Sequence, residues 1–277
     1  MTVSQAIREA AARLAITSDT ARLDAEVLMA HALGTSRSDL LLRRLNDAVP
    51  AAFVNAVERR LRHEPVAYIT GGQEFFGLPF TVTPDVLIPR GDSEVVVERA
   101  LAASPGARRV LDCGTGSGAL LLAVLANLPQ AQGVGIDRSH TALAVAQRNA
   151  EALDLAPRAR FTPANWTQAG WEEPLGGPFD LILANPPYVE AHAELAASVR
   201  DYEPAGALFA GDDGLDAYRA LVPQLPRLLC AGGIALVEIG ARQAVAVGAL
   251  AEAAGFHAQL HRDLGGRPRV LELCMGG

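Results

Sequence analysis

Lysine is missing altogether: all 24 basic residues of this 277-residue chain are arginine. No side chain can therefore form a Schiff base with a carbonyl substrate, anchor pyridoxal phosphate or fill the lysine position of a Walker phosphate loop. Cysteine is nearly as scarce. Cys113, Cys230 and Cys274 stand apart, with no Cys-x-x-Cys pair and no histidine at ligand spacing, so they are expected as small core residues and no metal site is expected. No apolar run approaches the roughly 20 residues that cross a bilayer. The stretch from Met1 to Ala12 sets Arg8 and Glu9 among alanines, without the basic and apolar regions of a secretory leader. A cytoplasmic protein is expected. Positive charge is also short: the formal net charge is −7, which argues against a protein held to nucleic acid by phosphate contacts. A local basic patch is still open to Arg59, Arg60 and Arg62.

What is present begins with hydrophobic residues, half of the chain and enough for a sizeable core. From Thr2 to His63 their spacing is helical: Val3, Ile7, Ala10 and Leu14 share one face, and Ala25, Leu28, Met29 and Leu33 another. Ser18 and Asp19 can cap the second helix, Gly34 can end it, and Pro50 suits the first turn of a further helix reaching Leu61. Residues 1–70 are thus expected as a helical domain of about four helices. Residues 71–89 are expected as a β-hairpin linker, with strands at 75–80 and 81–83 about a Gly-Leu-Pro turn. Gly71-Gly72-Gln73 would form a turn leading into it.

Residues 90–277 alternate strand and helix, the pattern of a mostly parallel sheet. Strands are expected at 109–113, 133–137, 159–162, 181–184, 234–239, 256–261 and 270–274, and the clearest helices at 119–128, 141–153 and 217–229. Only residues 262–269 separate the last two strands, too few for a crossover helix, so these two must pair antiparallel at one edge. The expected fold is α/β: a Rossmann-like, seven-stranded methyltransferase sheet preceded by the helical domain and the hairpin.

Two segments carry chemistry. Leu111-Asp112-Cys113-Gly114-Thr115-Gly116-Ser117-Gly118 places a glycine-rich turn between the first strand and its helix, where backbone can approach a ligand closely. Its third glycine comes one position earlier than in the dinucleotide fingerprint, so no diphosphate need be cradled, which suits S-adenosylmethionine. Asp137 ends the second strand, where a carboxylate can accept the ribose hydroxyls; it or Ser139 can instead cap the next helix. Trp166 follows the third strand and either flanks the adenine or packs structurally, while Asp112 would shape the loop by accepting backbone N–H bonds.

The second segment is Asn185-Pro186-Pro187-Tyr188, at the end of the apolar run 179–184. An amide nitrogen is a poor nucleophile because its lone pair is delocalised. Two acceptors, the Asn185 side-chain oxygen and the Pro186 carbonyl, can hold both of its hydrogens and fix its plane. The prolines stiffen the turn and Tyr188 can stack on the planar group. Together the segments read as a methyltransferase acting on a planar nitrogen.

With these residues in view, the chain resembles the release-factor glutamine methyltransferases over nearly its whole length. The likeness runs through Arg22-Leu23-Asp24-Ala25-Glu26-Val27-Leu28 with Leu33-Gly34, Glu74-Phe75-Phe76-Gly77-Leu78, Val86-Leu87-Ile88-Pro89-Arg90, the cofactor loop, Asn185 to Tyr188, Gly211-Asp212-Asp213-Gly214-Leu215-Asp216 and Val237-Glu238-Ile239-Gly240. The resemblance implies methyl transfer from S-adenosylmethionine, leaving S-adenosylhomocysteine, to the side-chain amide of the glutamine in a Gly-Gly-Gln loop of class 1 peptide-chain release factors. It implies that Gly114, Thr115, Gly116, Ser117, Gly118, Asp137, Trp166 and Asn185 hold the cofactor. Asn185, Pro186, Pro187 and Tyr188 would hold the glutamine, with Asn185, Pro186 and Tyr188 as the catalytic set. The helical domain would contact the release factor, with no nucleic acid or membrane as partner, and the enzyme is expected as a monomer. Two departures stand out. Gly91-Asp92-Ser93-Glu94 replaces the usual Pro-Glu-Thr-Glu, and Asn165-Trp166 replaces a frequent Asp-Trp, which predicts weaker contact near the adenine.

Competing readings are a glutamine methyltransferase of a ribosomal protein, an amino-adenine nucleic-acid methyltransferase and a non-catalytic binding module on the same fold. The segment 190–203 reads equally as a lid or as an ordinary surface helix.

Overall fold

Burial of the helical stripe organises the first part of the chain. The computed structural model describes residues 1–276; Gly277, the last residue of the expected methyltransferase domain, lies outside the described residues. By internal contacts the chain divides into two units, Met1–Gly72 with Leu195–Tyr202, and Gln73–Glu194 with the residues from Glu203 onward. The first contains α1 (Val3–Leu14), α2 (Ala21–Ala32), α3 (Arg37–Arg43), α4 (Ala51–Leu61) and α5 (Val66–Thr70). Val3, Ile7, Ala10 and Leu14 of α1 close on Ala25, Leu28 and Met29 of α2, with Leu40, Phe53 and Val57 completing the core. Thr2 and Gln5 form a reciprocal capping box at the start of α1. The cap of α2 falls at Thr20, while Ser18 instead donates to the Asp24 carboxylate. The candidate basic patch is largely neutralised, since Arg59 pairs with Glu64 and Arg60 with Asp24.

Next in the chain comes a hairpin, β1 (Gly72–Phe75) and β2 (Leu78–Thr81), whose turn is Phe76-Gly77 rather than Gly-Leu-Pro. Both turn residues have positive φ, 51° and 73°, the requirement of the tight two-residue turn that matches strand twist. Gly72 and Gln73 accordingly belong to the first strand instead of a turn before it, and Thr81-Val82-Thr83 form no separate strand.

Beyond α6 (Glu94–Ala103) the main sheet contains β3 (Arg109–Cys113), β4 (Gln132–Asp137), β5 (Ala159–Pro163), β6 (Phe179–Ala184), β7 (Leu229–Glu238), β8 (Phe256–Arg262) and β9 (Pro268–Met275). Their spatial order is β5-β4-β3-β6-β7-β9-β8. Pairings among β3 to β7 are parallel, and β9 runs antiparallel to both β7 and β8. Helices α7 (Ala119–Asn127), α8 (His140–Ala152), α10 (Asp216–Leu221) and α11 (Ala244–Ala253) accompany the sheet, and the short α9 (Ala197–Arg200) lies in the 195–202 stretch that groups with the first unit. The long helix expected at 217–229 is only α10 followed by a 3-10 stretch, Val222–Arg227, because Pro223 and Pro226 remove backbone donors. Two apolar clusters pack the sheet, one containing Val110, Leu181 and Leu183 and the other Leu111, Ile182 and Val237, as alternation along strands requires. Gly135 of β4 is a close-approach position, since a Cβ there would lie 2.8 Å from the Phe161 ring and 2.9 Å from Thr115 Oγ1. Cys113 is buried in the core as expected, but Cys274 is exposed near the end of β9.

Candidate active site

The strand order reverses between β3 and β6: the chain builds outward through β4 and β5, then returns to the other side of β3. Ligand crevices in open α/β sheets form at such switch points, beyond the carboxyl ends of the strands. Register makes this concrete. Cys113 is level with Ile136 on one side and Ala184 on the other, so Gly114, Asp137 and Asn185 leave the sheet together. A cavity of about 540 Å³ opens there, lined by Gly114, Thr115, Gly116, Ser117, Asp137, Trp166, Asn185 and Pro187 among others. That volume lies in the range of pockets for small organic ligands.

The glycine loop is held from three directions. The N–H groups of Gly114 and Thr115 both donate to the Ile136 carbonyl, at 2.9 and 2.8 Å. Asp137 accepts from Gly116 N–H at 3.1 Å and from Ser139 N–H at 2.9 Å. The cap of α8 is Ser139, which accepts from Ala142 N–H, so Asp137 is left on the cavity wall. Below the loop, Asp112 is fully buried, and its bond to the loop runs through the Thr115 hydroxyl at 2.6 Å rather than through the backbone donors expected. Burial pushes its carboxyl up to about 7 despite that bond. Asn149, also buried, donates to the Ser117 and Thr81 carbonyls and accepts from Thr81 N–H, tying the loop to the hairpin.

Gly114 has φ of 79°, and a Cβ there would stand 3.2 Å from the Trp166 ring, so the indole lies directly against the loop. Trp171 is different: it is 5% exposed and its indole N–H donates to Gln224 at 2.7 Å. Asn165 lines the cavity with its side-chain oxygen turned to Thr167 N–H and Oγ1. Gly118 does not line the cavity. It begins α7 with φ of 82°, where a Cβ would press on Leu122 and Ala146.

The corner around Asn185 is built from side chains. Asn185 Nδ2 makes a long contact, 3.5 Å, with Ser93 Oγ, and Asn185 Oδ1 has no partner among the described residues. Pro187 lines the cavity, whereas Pro186 is buried and Tyr188, half-buried, is not among the lining residues, so the stacking expected of Tyr188 has no support from the cavity wall. The Tyr188 carbonyl accepts from Gln243, whose amide also donates to the Gly214 carbonyl and accepts from Gly240 N–H. Burial foremost, with Glu238 nearby, raises the Tyr188 phenol above its ordinary range. Ser93, Glu238, Asn149 and Gln243 were not found from sequence. The one available signal was Glu238, a carboxylate at the end of an apolar strand.

Comparison with known proteins agrees with this architecture. Residues 5–71 match the family model of the PrmC N-terminal domain, and residues 92–202 that of the methyltransferase small domain. A release factor glutamine methyltransferase of Geobacter sulfurreducens is 46% identical over 86% of this chain and 84% of its own. That of Moorella thermoacetica is 44% identical over 97% of both chains. The chain belongs to the release factor glutamine methyltransferase family. Solved structures extend the likeness in fold alone: a methyltransferase from Pyrococcus furiosus gives a TM-score of 0.52 at 17% identity, covering 80% of this chain and 99% of that one. A ribosomal protein L11 methylase from Lactobacillus delbrueckii gives 0.51 at 20% identity, covering 71% and 84%. Among the described residues, no helix is long and apolar enough to cross a membrane, and no cluster of His, Cys, Asp or Glu could hold a metal ion.

Proposed function

We propose that this family member methylates the side-chain amide nitrogen of the glutamine in the Gly-Gly-Gln loop of class 1 release factors, using S-adenosylmethionine. The observation that carries the reading is the meeting of the glycine loop, Asp137 and Asn185 in one cavity at the switch point. The residues present fit the cofactor: a cavity of nucleoside size, a carboxylate at the end of β4 for the ribose hydroxyls, and an indole for the adenine face. Gly114, Thr115, Gly116, Ser117, Asp137 and Trp166 would hold it. S-adenosylmethionine, when bound, supplies a methyl group already activated on a sulfonium.

The work left to the chain is alignment. Asn185 Oδ1, unpartnered, would accept one hydrogen of the glutamine amide and the Pro186 carbonyl the other, fixing the plane of the nitrogen. Holding both hydrogens favours electron density on nitrogen, and the acidity of that nitrogen rises as its bond to carbon forms, so no strong base is required. Pro187 on the cavity wall keeps water from the reacting centre. The helical unit, which matches the PrmC N-terminal domain, would dock the release factor, and the enzyme would act in the cytoplasm. The test is mass spectrometry of a release factor, a ribosomal protein and adenine-containing DNA incubated with the enzyme and isotopically labelled cofactor. A single methyl mass on the Gly-Gly-Gln peptide is expected; label on either other acceptor instead would overturn the reading.

A further inference from the structure

Glu238 is a buried carboxylate beside Asn185, and the reaction as described gives it no task. The register of β6 and β7 pairs Ala184 with Val237, so Asn185 and Glu238 follow as neighbours at the end of the sheet. Glu238 is 2% exposed, and its Oε2 makes no hydrogen bond among the described residues. Burial raises the Glu238 carboxyl, and the Ser93 hydroxyl, Arg269 and the Asn185 amide oppose that shift. Ser93 also receives Asn185 Nδ2. A buried carboxylate with an idle oxygen is destabilising, and an apolar side chain of similar length would pack there at lower cost. Its presence therefore calls for a task that only an acceptor can perform.

An asparagine amide has two ends of nearly equal shape, and only one of them suits a substrate that presents N–H groups. If Nδ2 faced the cavity, donor would meet donor. We propose that Glu238 is a positioning residue: its carboxylate draws the Asn185 Nδ2 hydrogens to itself, directly and through Ser93, and so leaves Oδ1 as the end offered to the substrate amide. This inference rests on the proposed reaction for its consequence, but the orientation itself is a property of the protein alone. The same geometry explains why Ser93, in the loop that departs from the usual family sequence, retains a hydroxyl: it can accept from Asn185 while donating to Glu238.

Two substitutions separate this role from a structural one. Glu238→Met keeps length and removes the acceptor; Glu238→Gln keeps one acceptor oxygen. With release factor as acceptor, the Met variant is expected to remain folded, to bind S-adenosylmethionine within about twofold of wild type and to lose about a hundredfold in kcat. The Gln variant is expected within about fivefold of wild-type kcat. Wild-type turnover in the Met variant, or equal loss in both, overturns the proposal. A second readout needs no acceptor: the side-chain amide 15N resonance of Asn185, assigned by its loss in Asn185→Asp. It should shift in the Met variant and stay close to wild type in the Gln variant; no shift in either overturns the proposal. A wild-type enzyme that leaves release factors unmethylated would sink the proposed function, while this resonance would still decide the role of Glu238.

Discussion

The two halves of the cavity are built from opposite materials. The half proposed to hold the cofactor is mostly backbone: three glycines with positive φ, N–H groups on a neighbouring strand's carbonyl, and the carboxylate of Asp137 tied into the loop. The half proposed for the acceptor is mostly side chain: Asn185 and Ser93 on the wall, with Glu238 and Gln243 behind them. A backbone site tolerates sequence change wherever φ and close approach are respected. A side-chain site concentrates its function in a few atoms, so single substitutions there should weigh most on rate, and substitutions in the loop should weigh on affinity.

The sharpest way to break this contrast is Asn185→Ala. Turnover should fall by about 10²–10³, the loss typical of removing one preorganised hydrogen-bonding group, with cofactor affinity nearly unchanged. Calorimetry and single-turnover methyl transfer read the two quantities separately, and a collapse of affinity would reassign the residue to the cofactor half.

Next in size is an effect on folding. Burial lifts the carboxyls of Glu238 and Asp112 to about 7 from ordinary values of 4.5 and 3.8. Between those limits the folded state binds more protons than the unfolded one, so the stability linked to each group is whole at acid pH and lost as pH rises through 7. Unfolding free energy from urea titration should drop by roughly 2–4 kcal/mol between pH 6 and 8. Glu238→Met should remove part of that slope. Carboxylates whose pKa is lowered, such as Glu26 and Asp180, lose their contribution only at more acid pH, outside this window.

Asp137→Ala should weaken S-adenosylmethionine binding by about 1–3 kcal/mol, measured by calorimetry. Part of that loss belongs to the loop, because the same carboxylate holds Gly116 N–H. An unchanged dissociation constant would confine Asp137 to loop support. The smallest effect is expected at the rim. Asp92 pairs with Arg267 and Arg269, but it is 41% exposed. Asp92→Ala should shift unfolding by less than about 1 kcal/mol and leave rate and affinity alone.

Legibility in the sequence follows the same division. Strand alternation, the glycine spacing and Asn185 to Tyr188 are local patterns, and each placed its element close to where the structure has it. The helix misread at 217–229 came from giving the apolar spacing more weight than Pro223 and Pro226. The hairpin turn was misplaced because Phe76 adopts a positive φ, which an aromatic residue seldom does. The back wall of the acceptor corner was invisible for a different reason. Ser93, Glu238 and Arg269 lie on stretches of chain separate from one another and from Asn185 and meet it only in the fold, so no local spacing joins them to it.

Gln224 gives the molecule a built-in optical asymmetry. It accepts the Trp171 indole N–H and donates to the Trp166 carbonyl, leaving one indole sealed and the other standing over the glycine turn. With only these two emitters of their kind in the chain, quenching of intrinsic fluorescence on titration would report occupancy of the nucleoside pocket from a single known position, with no dye and no label required.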